Sequence, residues 1–188
     1  MMNQRPLNIL FLSNMIEEKG VWTLLSACSL LRDRGCQFQC HFVGRWSDVS
    51  EELFLSRIAD LQLGNYVQAH GAVYGDKRSA YFSRADVFVL PTFYHNECFP
   101  LVLLEAMQHG LACISTNEGA ISQIIDDRDT GFIIESRNPS MLADKLQLLI
   151  QKPERCRKMG LRGNLKFREN YTIEHFEQRF IGILNSLL

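Results

Sequence analysis

One stretch in the middle of the chain, Glu97-Cys98-Phe99-Pro100-Leu101-Val102-Leu103-Leu104-Glu105-Ala106-Met107, brings together two carboxylates, a thiol and the start of a helix. Pro100 suits the first helical position, where the N–H it lacks has no partner to lose. The N–H groups of Leu101 and Val102 are then unpaired donors at the positive end of the helix, a place for phosphate or for polar sugar oxygens. Glu105 interrupts a helix that is apolar almost all round, where an unpaired charge is strongly unfavourable. Either an arginine or lysine pairs with it, or a pair of ribose hydroxyls occupies both of its oxygens. Glu97, in the preceding loop, is either solvated or placed to meet another part of the same ligand.

Other reactive side chains offer less. Cys98 near the helix start could have a lowered pKa, but no histidine is spaced to make it a nucleophile, so packing or sugar contact is the better reading. His95 and His109 flank the stretch without an Asp or Glu at metal-ligand spacing, and His109 suits a helix C-terminus. Cys36 and Cys40 have no second pair downstream to complete a zinc site, and all cysteines except Cys98 read as buried free thiols. Gly44 begins no G-x-G-x-x-G fingerprint, which speaks against a dinucleotide-dependent dehydrogenase. Trp22, on a helix, reads as core; Trp46 fits either core or pocket wall.

The elements that must hold this stretch alternate along the chain. Apolar runs predict strands at 8–13, 38–43, 66–70, 86–90, 112–115 and 132–135. Amphipathic or apolar segments predict helices at 20–34, 51–62, 77–84, 100–109, 120–125, 140–151, 153–169 and 172–188, with Gly35 and Gly110 as stops. The terminal helix carries Ile173, Phe176, Phe180 and Leu184 near helical spacing and is expected to pack on the domain. Strand runs with few polar breaks, joined by helices, indicate an α/β fold: a Rossmann-like, doubly wound, mostly parallel sheet flanked by helices, in a single domain with a C-terminal helical tail. Such a sheet binds ligands at the carboxyl ends of its strands. The loops there are 13–20, 44–50, 71–77, 91–100 and 116–119, so the Glu97 loop is one of them.

Composition sets outer limits. The 188 residues are 46% hydrophobic and 22% charged, enough apolar material for a core. A formal charge of -1 gives no bulk attraction for nucleic acid or an anionic membrane, so an anionic ligand must be held by local geometry. Residues 1–6 lack the apolar core of a signal peptide, and no stretch is long and apolar enough to cross a bilayer. A cytoplasmic protein is expected.

Glu97 and Glu105, separated by seven residues within ECFPLVLLEAM, resemble the E-x7-E signature of retaining glycosyltransferases with the GT-B architecture. The chain looks like the donor-binding domain of the group 1 (family 4) glycosyltransferases, which include bacterial sugar transferases of cell-surface polysaccharide synthesis. Other landmarks occur in order from the first strand through Ile134. They are Glu18-Lys19-Gly20, Phe42-Val43-Gly44, His70-Gly71, Ala85-Asp86-Val87-Phe88-Val89-Leu90-Pro91 and Asp129-Thr130-Gly131-Phe132.

The resemblance implies one half of a GT-B fold and a nucleoside-diphosphate sugar as co-substrate, a UDP- or GDP-sugar, with neither cofactor nor metal. It places Lys19 on the diphosphate, Glu105 on the ribose and Glu97 beside the transferred sugar, with Glu97 and Lys19 in the catalytic role. The main chain of Phe99, Pro100, Leu101 and Val102 with their neighbour Cys98 borders sugar and phosphates, and Gly71, Ala72 and Val73 border the base. Sugar choice is expected from the loops at 96–99 and 117–120. Transfer with retention is implied, onto a polysaccharide, lipid-linked sugar or other glycoconjugate. The family's arginine five residues before the lysine is Asn14 here, which lacks arginine's charge and bidentate fork. Arg45, after Gly44, could compensate. The acceptor site of such enzymes lies on an N-terminal domain, expected to be absent from 1–188, as is any peripheral membrane attachment it provides. The isolated chain is expected to bind donor and transfer poorly. A non-catalytic nucleotide-binding module, or an epimerase or phosphorylase of the same architecture, are the alternatives.

Overall fold

A computed structural model describes residues 5–186. Residues 1–4, and 187–188 of the expected terminal helix, lie outside the described residues. Six apolar segments form strands: β1 (Leu7–Leu12), β2 (Phe38–Val43), β3 (Val67–Ala69), β4 (Val87–Leu90), β5 (Ala112–Thr116) and β6 (Gly131–Ile134). They make one parallel sheet in the order β3-β2-β1-β4-β5-β6. β1 sits at its centre, with Ile9 opposite Cys40 on one side and Val87 on the other. Every residue of β4 and β5 and all but Asn8 of β1 are buried, which explains their largely apolar character, whereas β2 alternates and the edge strand β3 leaves Gln68 exposed.

Helices α1 (Val21–Asp33), α2 (Glu51–Asp60), α3 (Asp76–Arg84), α4 (Leu101–Gln108), α5 (Ile121–Ile124), α6 (Pro139–Gln151), α7 (Pro153–Asn170) and α8 (Ile173–Ser186) follow in chain order. Their starts have local causes. The Ser50 side chain accepts from Leu53 N–H at 3.2 Å, and Asn138 accepts from Met141 N–H at 2.9 Å just before Pro139. Each satisfies a donor that the first helical turn would otherwise leave unpaired. α1 packs on α6 and α4 on α7, covering the sheet. The α4–α7 contact is close enough that a Cβ on Gly160 would strike the Gly110 carbonyl.

Two readings are revised. The terminal helix forms, but α8 buries none of its residues and leaves Ile173, Phe176 and Phe180 exposed, so it does not pack on the domain as expected. Trp22 is only partly buried, stacked on Phe54 with centroids 6.0 Å apart, because α1 turns its adjacent residues, Val21 and Thr23, inward. A turn at the end of the first crevice loop is also new: Glu17–Lys19 forms a single 3-10 turn that ends at Gly20 in the left-handed region, φ 86°. Gly20 sits against the Pro91 backbone, so a side chain there would meet both strain and a clash.

Candidate functional site

The strand order reverses between β1 and β4, so the chain leaves these neighbours in opposite directions and a crevice opens at their carboxyl ends. A cavity of about 390 Å³ occupies it. One wall is Leu12 at the end of β1 with Ser13, Asn14 and Lys19 beyond it, and Val43 at the end of β2 with Gly44 and Arg45 beyond it. The other is Glu97 with Pro100, Leu101 and Val102 at the start of α4, and Ala72, Val73, Tyr74 and Arg78 close the third side. Gly44 lets these walls meet: its N–H donates to the Gly71 carbonyl at 2.8 Å, and a Cβ on it would overlap the Ser13 carbonyl.

Lys19 Nζ donates to Glu97 Oε2 at 2.7 Å, and both side chains are largely buried, 15% and 8% exposed. The same ammonium lies 4.4 Å from the Tyr94 ring centroid. Glu97 is therefore not the solvated loop residue of the simpler sequence reading. Its loop is tied down from several directions. The Phe93 N–H donates to the Glu18 carbonyl at 2.7 Å, the Thr116 hydroxyl to the Thr92 carbonyl at 2.6 Å, and the Ala120 N–H to the Cys98 carbonyl at 2.8 Å. The last contact brings the 96–99 and 117–120 loops together, with Gly119 at φ 52° against the Glu97 carbonyl.

At α4, Pro100 is the cap and supplies no side-chain acceptor. Among the described residues the N–H groups of Leu101 and Val102 have no hydrogen-bond partner. They stand at the positive helix end and on the cavity wall, as the sequence predicts for an anion site.

Of the two partners the sequence allows for Glu105, a cation is the one present: it is paired with Arg78, and the two side chains are about one-third exposed. One turn from the helix start and at the edge of the crevice, it escapes the full desolvation that a helix apolar all round suggests. An ion pair this open is worth about 1 kcal/mol or less.

Of the predicted site residues, Asn14, Lys19, Gly44, Arg45, Ala72, Val73, Glu97, Pro100, Leu101 and Val102 line the cavity. Gly71, Cys98, Phe99 and Glu105 do not: Gly71 and Cys98 act through the backbone bonds above, Phe99 faces the Tyr171 ring at 6.2 Å, and Glu105 adjoins through Arg78. Ser13, Tyr74 and Arg78 line it without having been singled out. Ser13 and Tyr74 lie in strand-end loops, which was the available signal; Arg78, on the first turn of α3, gave none.

On β2 and just after β3, His41 Nδ1 and His70 Nε2 are 2.9 Å apart with stacked rings, beside Tyr81. Burial holds both below the usual imidazole pKa, and for His41 the neighbouring His70 adds to this. Among the described residues no group of three or more His, Cys, Asp or Glu side chains is placed to hold a metal ion, and no helix is long and apolar enough to cross a membrane.

The model of a family described as "Glycosyl transferases group 1" matches residues 2–165. A D-inositol 3-phosphate glycosyltransferase of Paenarthrobacter aurescens is 30% identical over 81% of this chain and 38% of its own. The chain spans 36–38% of the length of the first curated relatives it matches. Among solved structures, Anabaena HepE in complex with UDP and glucose superposes with a TM-score of 0.85 at 18% identity, covering 97% of this chain and 49% of that one. The C-terminal domain of the group 1 glycosyl transferase LpcC from Francisella tularensis gives 0.78 at 23% identity, over 90% and 89%. At these identities the two structures establish a shared fold.

Proposed function

Because the chain belongs to the glycosyl transferases group 1 family, we propose that the β1–β4 cavity binds a nucleoside-diphosphate sugar and presents it for transfer with retention of anomeric configuration. The observation that carries this reading is the pairing of Lys19 with the bare α4 N-terminus across one cavity. The diphosphate lies between the ammonium and the Leu101 and Val102 amides, where fixed donors meet the charge that grows as the leaving group departs. In the reaction the bond from the anomeric carbon to the diphosphate oxygen breaks. An acceptor hydroxyl oxygen bonds that carbon and loses its proton, and the nucleoside diphosphate leaves.

Glu97, freed from Lys19 as the phosphates take the lysine, accepts from hydroxyls of the transferred sugar. Gly71, Ala72 and Val73 border the base and Glu105 takes the ribose. Ser13, Asn14, Gly44 and Arg45 complete the phosphate end, while Cys98 and Phe99 shape the sugar end. HepE, which shares the fold, was solved with UDP and glucose, which favours a UDP-sugar among the candidate donors. Lys19 and the α4 dipole provide the charge neutralisation for which other enzymes use a divalent cation, and binding is expected to persist in EDTA. The acceptor is proposed to sit on a second domain, and the LpcC domain, matched over most of its length, supports reading this fold as a unit of its own.

Calorimetric titration with UDP, GDP, ADP and their sugar conjugates tests the reading. Selective binding of one base series, unchanged by EDTA and weakened by Lys19→Ala, is expected. Equal and indifferent affinity for all of them would contradict it.

A further inference from the structure

We propose that Arg78 is a donor-binding cation, held on Glu105 while the cavity is empty and transferred to the diphosphate when the nucleotide sugar enters. The inference rests on the donor-site reading and extends it to a residue outside the E-x7-E signature.

The first observation concerns order in space. Arg78 lines the cavity and Glu105 does not, so the carboxylate meets the cavity through the arginine. Ribose hydroxyls can take both Glu105 oxygens only if Arg78 leaves Oε2. The second is how readily it can leave. The pair is about one-third exposed on both sides, and pairs of that kind are weak. Arg78 projects from the first turn of α3, with its guanidinium carbon 5.6 Å from the Phe82 ring centroid, so the side chain can swing while the helix stays anchored through buried Phe82.

The third observation is chemical complementarity. A guanidinium only donates and a phosphate only accepts; an ionised carboxylate only accepts, while ribose hydroxyls can donate. Exchange therefore leaves Arg78, Glu105, ribose and phosphate each with a matching partner. The cavity also has a use for the charge. Asn14 is neutral, Arg45 stands on an exposed loop, and Lys19 begins in a bond to Glu97. Arg78 and Lys19 thus act alike, each stored on one glutamate of the signature and each released to phosphate as sugar hydroxyls take its carboxylate.

The exchange separates two probes that share a base. Affinities of UDP against uridine, and of GDP against guanosine, are measured by calorimetry or NMR titration for the wild-type chain and for Arg78→Ala, Arg78→Lys and Glu105→Gln, with urea midpoints to verify folding. For the base series that binds, Arg78→Ala is expected to weaken the diphosphate roughly ten- to hundredfold and leave the nucleoside within about threefold, as loss of a charge-assisted contact to phosphate requires. Arg78→Lys should restore part of the diphosphate affinity, and Glu105→Gln should weaken the nucleoside. Equal losses for diphosphate and nucleoside in Arg78→Ala would mean that Arg78 only orients Glu105, which overturns the exchange and leaves the donor site standing. No loss for either probe overturns it equally. A wild-type chain that binds neither UDP nor GDP contradicts the donor-site reading and this inference together.

Discussion

Lys19 and Glu97 lie 78 residues apart in the chain and meet in a 2.7 Å ion pair across the mouth of the β1–β4 crevice. The pair joins the loop after β1 to the loop before α4, so it reports on whether the crevice is assembled. Removing Lys19 alone leaves a largely buried carboxylate without its donor, which destabilises the fold by roughly 1–3 kcal/mol. Lys19→Met should lower the unfolding free energy from urea titration by that amount, and Lys19→Met with Glu97→Gln should recover part of it. Strictly additive losses would show that the pair is not formed in solution.

The His41–His70 contact gives a pH dependence of definite sign. Both imidazoles are held below their ordinary pKa, chiefly by burial, so the unfolded chain takes up protons more readily than the folded one. Their contribution to stability is complete above the unfolded imidazole pKa of about 6.5 and is lost as the pH falls through the lower folded values. Urea midpoints measured from pH 7.5 to 5 should decline more steeply for the wild-type chain than for His41→Gln. Parallel curves would contradict the assignment.

Thiol chemistry should single out Cys98. It is the exposed cysteine, whereas Cys28, Cys36, Cys40, Cys113 and Cys156 are buried, and burial pushes Cys113 and Cys156 up to about 12. A disulfide exchange reagent at pH 8 should modify one thiol quickly in the native chain, and Cys98→Ala should abolish that phase. Because the Cys98 carbonyl anchors Ala120 beside the proposed sugar end, bound nucleotide sugar should slow the reaction. Rapid modification of several thiols would mean that the core opens.

α8 should be energetically separate from the domain. None of its residues is buried, and Phe176 and Phe180 stack on each other with centroids 6.0 Å apart while exposed. Phe176→Ala with Phe180→Ala should change the unfolding free energy by no more than about 0.5 kcal/mol, as for ordinary surface positions. A loss several times larger in thermal or urea unfolding would show that the helix docks.

The central strands were legible because both-face burial writes itself into largely apolar runs, and all six expected strands formed within a residue or two of their expected bounds, the polar-interrupted β2 and β3 included. The α4 start was legible from Pro100, whose ring fixes the local geometry wherever it falls. That Glu97 and Glu105 serve one ligand came from their resemblance to the E-x7-E signature rather than from spacing, and it stands as a proposal. Their partners were not legible: Lys19 reaches Glu97 and Arg78 reaches Glu105 only because β1, β4 and the α3 start converge at one sheet edge. The isolation of α8 was equally hidden, since its apolar spacing suits a docked helix as well as an exposed one.

The central claim is that the β1–β4 cavity is where the nucleotide sugar binds. Amide chemical-shift mapping during titration with the nucleotide sugar that calorimetry selects tests it most directly. The largest shifts are expected at Ser13 to Lys19, Gly44 and Arg45, Ala72 to Tyr74, and above all at the unpartnered Leu101 and Val102 amides. Shifts centred instead on the separate basic cavity of about 210 Å³ lined by Arg128, Arg155, Lys158 and Arg162, with Leu101 and Val102 unmoved, would contradict it.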